Sequence, residues 1–511
     1  MTEVRDHACP TDATTFPQLI RSAGDKYGDQ SALIFKGETV PDASISFREL
    51  ERQSATLARG LIARGAGKGS RIGFIAGNTP EFLTIFSAIC RIGAIAIPVS
   101  TLIKADELVR VLRRSDVGGL IIQPSLLGHD LVERVLTALP ALQSVTDPEL
   151  RLPQVPFLRW IVCTGCWELP AGIRDLAFLR DAANTVGEEL LLAIEANVHP
   201  ADQAIEIYTS GSMALPKGVP HNHGPMLSRL HFLAGALKLE PGMERHVMQP
   251  MFWIGGLGFM ALPNLERGVT SLCTERGITD SRRAMGSVLA EDDIYKPAPD
   301  EISWSIGMTE TFGPYAYSYE VRVPGYPLTS PLDHIAPGYE LRLWVDGREA
   351  AEGEPGEIQV RGYALTPGLH KEDRNSYFEP DGFYRTGDMA VREGKRIHFL
   401  GRNGDMIKSA DANVSPAEVE MEMQRLENVH SAYVVGIPDA ERGQLVVAAV
   451  VPRDQASLDF DDIERVLRAR LSSFKVPSAY VTLAREEVPM LATNKVARRE
   501  IERMMIQRLR C

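Results

Sequence analysis

The stretch YTSGSMALPKGV, Tyr208 to Val219, decides how this chain is read. It packs hydroxyls, a glycine and one lysine into a loop suited to holding polyphosphate. Thr209, Ser210 and Ser212 offer hydroxyl donors, Gly211 lets backbone N–H groups approach an oxygen closely, and Lys217 supplies a point charge. Ala204, Ile205 and Ile207 precede the loop and read as a strand that delivers it, while Pro216 and Gly218 hold its far end open. The common nucleoside-triphosphatase loop needs glycine before its lysine and Ser or Thr after it. Here Lys217 sits between Pro216 and Gly218, so this is not that loop, and the residues alone leave a polar surface turn as the alternative.

Outward from the loop, the pattern between Ser70 and Gln123 alternates. RIGFIA reads as a strand, Pro80–Arg91 as a helix, AIAIPV as a strand, Ala105–Arg114 as a helix and GGLIIQ as a strand. Apolar strands alternating with helices predict a doubly wound parallel sheet, which places ligand loops at strand ends. Beyond Ala336 the style turns to hairpins. YELRLWV and GEIQVRG, with turns at Asp346-Gly347 and Glu354-Pro355-Gly356, predict an antiparallel piece ending near Gly387-Asp388.

After Gly401 a compact α+β unit is expected, with the boundary at Arg402 to Asp405. Ser415-Pro416-Ala417-Glu418 combines a cap, a first-turn proline and a capping glutamate, and Val419, Met423 and Leu426 continue one apolar face. Strands at 433–437 and 446–451, a helix at 461–471 and a strand at 480–483 complete the unit. The expected architecture is α/β: a large N-terminal domain of doubly wound sheets with a β-rich subdomain over 1–401, and a small mobile α+β C-terminal domain over 402–511.

Composition agrees with this size and class. A chain of 511 residues exceeds one hydrophobic core, and 44% hydrophobic content lets two domains pack well. The N-terminus lacks the basic start and apolar core of a signal peptide. The most apolar region, Glu81–Val99, is interrupted by Arg91 and Gly93 and reads as a buried helix and strand rather than a membrane span. A soluble cytoplasmic protein is the expectation. Six cysteines make no disulfide scaffold, Cys90 and Cys273 sit in apolar contexts, and Cys163-x-x-Cys166 lacks the second pair that zinc needs. A net charge of −12 argues against a nucleic-acid surface, and the arginines from Arg498 to Arg510 read mostly as a solvated helix face.

The loop's twelve residues resemble the phosphate-loop signature of the adenylate-forming superfamily, which holds acyl-CoA synthetases, luciferase-like enzymes and peptide-synthetase adenylation domains. Further likenesses follow in that family's order. Gly307-Met308-Thr309-Glu310 resembles its G-x-T-E, Tyr384-Arg385-Thr386-Gly387-Asp388 its Y-x-T-G-D, Gly401-Arg402 with Asp405 its G-R-x-x-D hinge, and Lys495 in PMLATNKVAR its C-terminal catalytic lysine.

The resemblance implies an ATP-dependent acyl-CoA ligase that activates a hydrophobic fatty or aryl carboxylic acid as its adenylate, with release of pyrophosphate, before forming a CoA thioester. Thr209, Ser210, Gly211, Ser212 and Lys217 would grip the β- and γ-phosphates. Thr309 would meet the α-phosphate, Glu310 would help hold Mg²⁺, and Asp388 and Arg402 would take the ribose side of ATP. Lys495 would stabilise charge on the reacting carboxylate and α-phosphate, and Gly404 would serve the hinge by which the small domain turns. Trp253, Gly255 and Gly256, after Pro250-Met251-Phe252, resemble the family's acyl-pocket segment, although core packing explains those aromatics equally well. The implied partners are a small carboxylic acid, ATP and coenzyme A, with no nucleic acid and no transmembrane segment; a homodimer is left open.

Three departures stand out. Trp253 and Gly307 are 54 positions apart, closer than relatives keep them, and the acidic-basic residues between Arg276 and Trp304 do not resemble the loop that lines the adenine and acyl sites. Removing sheet elements there would open an edge. Ile306 stands where the family has an aromatic that stacks on adenine, and alternation along a strand does not put nearby Trp304 in its place. Ala410-Asp411 replaces a glycine pair on the pantetheine approach, and Asn494 a glycine before the lysine. These changes weaken the thioester step more than adenylation. They keep two alternatives open: transfer to another acceptor such as a carrier-protein thiol, and a truncated, catalytically weak nucleotide- or acyl-binding relative.

Overall fold

The computed structural model describes residues 13–145, 149–165, 168–209, 216–275, 304–318, 332–354, 356–402, 407–409, 412–414, 416–439, 441–453, 456–489 and 496–509. The chain divides into two compact units. One comprises Met1–Thr101, Leu112–Tyr208 and Gly218–Gly401; the other comprises Leu102–Val111, Thr209–Lys217 and Arg402–Cys511.

The larger unit is built on a seven-stranded sheet. Strands β1 (Arg71–Ile75), β2 (Ile95–Pro98), β3 (Gly119–Ile122), β4 (Trp160–Cys163), β5 (Gln203–Thr209) and β6 (Lys217–Asn222) run in the spatial order β6-β5-β2-β1-β3-β4, with the short Arg174–Asp175 at the edge. The pairs from β5 through β4 are parallel, as Ile72↔Ala96, Ile205↔Ala96, Gly73↔Leu120 and Ile121↔Val162 show. Helix α1 (Pro80–Arg91) crosses between β1 and β2. Thr79 stands at its N-cap with Pro80 at the first position, and Phe82, Leu83, Phe86 and Ile89 are all buried. The arginine interrupting this apolar run is fully buried and fully partnered: Arg91 donates to Glu195 at 2.5 Å, to Glu51 Oε1 at 2.8 Å and to Ser54 at 3.0 Å. No helix among the described residues is long and apolar enough to cross a membrane. Cys90 and Cys273 are buried, and burial pushes both thiols up in pKa.

Helix α2 (His223–Ala236) follows β6 directly. Strands β7 (Trp304–Met308) and β8 (Gly313–Ser318) form an antiparallel hairpin, with Ile306 opposite Ala316. A five-stranded antiparallel sheet then follows, built around β9 (Tyr339–Val345), β10 (Gly356–Gly362), β11 (Tyr384–Glu393) and β12 (Arg396–Arg402). The expected end of this piece near Gly387-Asp388 is corrected: it runs on to Arg402. Gly387, at φ 73°, makes a bulge inside β11 rather than a turn after it, because pairing slips between Gln359↔Arg385 and Glu357↔Met389.

In the second unit, α3 (Pro416–Gln424), β13 (Val429–Asp439), β14 (Gly443–Pro452), α4 (Phe460–Arg470), β15 (Ala479–Thr482) and α5 (Arg498–Leu509) follow the expected order, with strand β13 longer than its apolar run. Period-2 alternation along β14 explains the layering. Val446, Ala448 and Val450 pack with Val419, Met423, Ile463 and Leu467, while Val447, Ala449 and Val451 pack with Ile501 and Met505. The sheet therefore carries α3 and α4 on one face and α5 on the other. Glu418 accepts from Lys475 at 3.0 Å, whereas its expected cap partner Ser415 lies outside the described residues. Arg498 pairs with Glu420, Arg503 with Glu500 and Arg508 with Glu487, so the basic C-terminal helix is largely ion-paired.

Candidate active site

Ser210, Gly211, Ser212, Gly404 and Lys495 lie outside the described residues, as do Asp411, Cys166 and the segment 276–303; Arg402 ends β12. The remaining candidates fall on four structural features.

The first is the rim of the phosphate loop. Thr209 ends β5 and Lys217 opens β6. Behind this rim Glu206 is completely buried, yet well supplied with donors. Arg71 pairs with Glu206, Tyr208 Oη donates to its Oε1 at 2.7 Å, Gln203 Nε2 to its Oε2 at 3.1 Å, and His370 Nδ1 lies 3.5 Å away. Burial and the Glu206 charge push the Tyr208 phenol up in pKa. Gly218 is required here: a Cβ would sit 2.6 Å from Glu206 Oε1 and 2.9 Å from both His370 Cβ and Tyr208 Cζ. Its carbonyl accepts from His370 N at 2.8 Å. The glycine after the lysine is thus demanded by a packed carboxylate, not by a turn.

The second feature is the tip of the β7–β8 hairpin. Thr309–Thr311 forms one 3₁₀ turn, closed by Phe312 at φ 50° and Gly313 at φ 100°. Gly307 must be glycine, because a Cβ there would approach the Gly313 carbonyl to 2.5 Å. Every carbonyl of the turn is held by a donor from another segment. His221 Nε2–H donates to Thr309 O at 2.7 Å, Thr366 N to Glu310 O at 2.7 Å and Tyr339 Oη to Thr311 O at 2.6 Å. The Glu310 carboxylate accepts from Tyr384 Oη at 3.0 Å. Thr366 also ties this turn to β6, donating through its hydroxyl to Pro220 O at 2.9 Å. His221 is buried, stands edge-on to Phe312 and is held neutral, since burial lowers its pKa to about 4.

The third feature is the β11 bulge. Thr386 Oγ1 donates to Ile358 O at 2.6 Å and accepts from Asp388 N at 3.0 Å, while Gly387 N donates to Glu357 Oε1 at 2.9 Å. The bulge re-aims Asp388, which is 6% exposed, and the same strand supplies Tyr384 to Glu310. G-x-T-E and Y-x-T-G-D are therefore joined by a hydrogen bond between the last residue of the first, Glu310, and the first residue of the second, Tyr384.

The candidate acyl-pocket segment is divided. Met251 and Phe252 are core residues, whereas Trp253 is only half-buried. Asn78, after β1, clamps the approach: its side chain accepts from Met251 N at 2.8 Å and donates to Gln249 O at 2.9 Å. A Cβ at Gly256 would come within 2.2 Å of Pro250 O, and one at Gly255 within 1.7 Å of Gln249 Oε1. These glycines open a π-helical turn over Gly255–Ala261, a geometry frequent at functional sites. Ile306 is buried with Tyr315, Leu332 and Tyr339, so it belongs to the core beneath the hairpin.

Sequence reasoning passed over Glu206, His221, Asn78 and Arg229. Arg229 is fully buried on α2, with its guanidinium carbon 4.8 Å from the Phe232 ring centre and 5.2 Å from that of Tyr339. None of its three nitrogens has a hydrogen-bond partner among the described residues. Burying an unpaired ion costs several kcal/mol, of which stacking on a ring returns roughly 0.5–2 kcal/mol. The available signals were a charge between Ile205 and Ile207 in β5, and an arginine within the apolar run of α2.

Residues 20–292, more than half of the chain, match the AMP-binding enzyme family. The chain belongs to that family. Residues 418–495 of this AMP-binding enzyme match the family's C-terminal domain. The enzyme is 26% identical to a feruloyl-CoA synthase from Amycolatopsis over 504 residues, which cover 90% of this chain and 94% of the relative. It is 24% identical to a long-chain-fatty-acid–CoA ligase of Bacillus subtilis over 546 residues, covering 97% and 95%. The fold matches that of the amide bond synthetase McbA from Marinactinospora thermotolerans with a TM-score of 0.72 at 20% identity, over 96% of this chain and 99% of that one. The AMP-binding enzyme thus has the family's architecture: a mixed α/β N-terminal domain, a β-rich subdomain and a small C-terminal domain. The three names concern an aryl acid, a fatty acid and amide-bond formation, so the likeness reaches the adenylate-forming class and not one acid.

Proposed function

We propose that this enzyme activates a hydrophobic carboxylic acid with ATP and transfers the acyl group to coenzyme A. The carboxylate oxygen attacks the α-phosphorus and the bond to pyrophosphate breaks; the thiolate sulfur then attacks the acyl carbon and the bond to AMP breaks. Two anions must meet in line in the first step, so charge has to be neutralised by groups already in place.

The observation that carries this reading is the immobilised Thr309–Thr311 turn. With its three carbonyls taken by His221, Thr366 and Tyr339, the backbone that carries Thr309 and Glu310 is set by the fold rather than by a ligand, and Tyr384 holds the Glu310 carboxylate. In the proposal Thr309 meets the α-phosphate. Thr209, Ser210, Gly211, Ser212 and Lys217 hold the outer phosphates, Asp388 and Arg402 the ribose side, and Lys495 the reacting oxygens, with Gly404 at the hinge between 1–401 and 402–511.

Glu310 fits a magnesium ion. It is a buried carboxylate on the turn, and no cluster of three His, Cys, Asp or Glu occurs among the described residues. Mg²⁺ takes one or two carboxylates and fills its octahedron with phosphate oxygens and water. When bound it neutralises phosphate charge.

The half-buried Trp253 and the glycine-opened turn after it favour an apolar acid, since an amino acid's ammonium would want an acidic partner. The charged Asp411, in place of a glycine on the thiol approach, favours a second reading in which the adenylate passes to another acceptor. Acid-dependent ATP–pyrophosphate exchange across a panel of carboxylates, run with and without CoA, tests both. Exchange with CoA consumption supports the ligase, exchange without consumption supports the second reading, and nucleotide binding without exchange overturns both. In the same assay Lys495→Ala is expected to lower exchange by roughly 10²–10³, the usual cost of one preorganised donor, with ATP affinity unchanged within a few-fold.

A further inference from the structure

Arg229 is a feature of the larger unit that the adenylation chemistry leaves unexplained. An arginine cannot shed its charge in a protein interior. Elsewhere in this unit a fully buried arginine is answered: Arg91 has Glu195, Glu51 and Ser54 around it. Arg229 is just as buried, yet among the described residues it has no ion pair: it stacks on the faces of Phe232 and Tyr339, and no nitrogen of its guanidinium meets full hydrogen-bond geometry. The Tyr363 phenol lies beside it, where the positive charge and a loose hydrogen-bond contact from Arg229 oppose the rise in pKa that burial imposes on that phenol.

Its position is close to the chemistry. Tyr339, against which the guanidinium stacks, donates its hydroxyl to Thr311 O, so one ring separates Arg229 from the Thr309–Thr311 turn. The helix that carries it packs on the Gly255–Ala261 turn, the candidate acyl-pocket segment. A fork of parallel N–H donors, walled by aromatic rings and with no carboxylate paired to it among the described residues, has the complement of a carboxylate attached to an aryl group.

We propose that Arg229 is a specificity-determining residue that binds a second carboxylate, at the end of the acid remote from the one that is adenylated. The inference rests on the adenylation reading and narrows its acid to an aryl dicarboxylate.

The test uses two matched probes, 4-carboxycinnamic acid and the methyl ester of its ring carboxyl, which differ in the distal charge and one methyl group. Their binding to the full-length enzyme is measured by calorimetry, and ATP–pyrophosphate exchange is followed in parallel. The wild-type enzyme is expected to bind the diacid at least ~10-fold tighter than the ester, the scale set by one charge-assisted bidentate pair. Arg229→Met keeps the volume and removes the fork, and is expected to erase or invert that ratio with ATP affinity unchanged. Arg229→Lys, which keeps charge but not the fork, is expected to fall between them.

Equal binding of diacid and ester by the wild-type enzyme overturns the proposal whether or not either variant folds, and so does a ratio that survives in Arg229→Met. If the diacid preference is present and Arg229-dependent but no acid supports exchange, Arg229's role in recognition stands and the adenylation reading falls.

Discussion

The Nε2–H of His221 donates to the carbonyl oxygen of Thr309 across 2.7 Å, joining the strand that Lys217 opens to the turn that carries Thr309 and Glu310. Both partners are held: the imidazole is buried against Phe312, and Thr309 O also accepts from Phe312 N at 3.1 Å. A neutral ring donating from one nitrogen therefore sets where the turn begins.

Replacing His221 by Leu should remove one of the two donors to Thr309 O, leaving the Phe312 amide in a part-buried place. The loss of one hydrogen bond is worth about 0.5–1.5 kcal/mol, which as a barrier is at most about one power of ten in rate. The expected outcome is a fall in the kcat of ATP–pyrophosphate exchange of about two- to tenfold, by that conversion, with the KM for ATP changed little. His221→Gln, which keeps an N–H donor, should recover part of it. Equal losses in the two variants would point to packing instead of the donor.

The buried histidines also set an acid limit on stability. Burial lowers both His221 and His223 from 6.5 to about 4. Because the folded pKa is the lower one, the unfolded chain takes up protons first as pH falls. The stability they contribute is fully present above pH 6.5 and drains away as pH drops towards 4. At 1.36 kcal/mol per pKa unit the loss is about 3 kcal/mol for each group. Urea unfolding of the wild-type enzyme at pH 7 and at pH 4.5 should show this drop. His223→Gln, which keeps an acceptor for Phe16 N, should show a smaller one, and an unchanged difference in that variant would remove His223 from the account.

Much of this was legible in the sequence, and the division follows a physical line. Alternating strands and helices between Arg71 and Ile122 were readable because parallel strands buried on both faces must be continuously apolar. Gly218 and Gly307 were readable as motif members, and the fold supplies their reason in the backbone and side chains they abut. The β11 bulge was misread as an end because Gly387-Asp388 looks like a turn until the register of β10 is known. His221, Thr366 and Tyr339 left no local trace: their role is to meet one turn from segments far apart in sequence, and only tertiary structure brings them there.

Gly218→Ala tests the packing behind the phosphate loop. The added methyl would meet Glu206 Oε1 at 2.6 Å, and Glu206 cannot retreat, because Arg71, Tyr208 and Gln203 already fix it. Overpacking of this kind typically costs 1–3 kcal/mol, roughly. The strand carrying Lys217 must shift to relieve it, so nucleotide binding should weaken along with stability. Gly218→Ala combined with Glu206→Gln should not restore binding, since the amide has the same bulk. Wild-type ATP affinity in the single variant would show that the rim yields freely.

Tyr384→Phe isolates the link between the two motifs. The substitution removes only the hydroxyl that donates to Glu310 Oε1 at 3.0 Å, while the ring keeps its edge-on contact with Phe378 at 5.1 Å between centres. If Glu310 serves a magnesium ion, the phenol orients the carboxylate, and partners of a metal-ligating carboxylate typically matter by roughly 10–100-fold in affinity or activity. The expected outcome is a rise in the Mg²⁺ concentration needed for half-maximal exchange, with most of the rate recovered when Mg²⁺ is raised to saturation. Glu310→Gln, which removes the ligand itself, should not be recovered that way. A Tyr384→Phe enzyme with a lower rate at every Mg²⁺ concentration and an unchanged half-saturation point would place the hydroxyl's role in the shape of the turn and not in its metal.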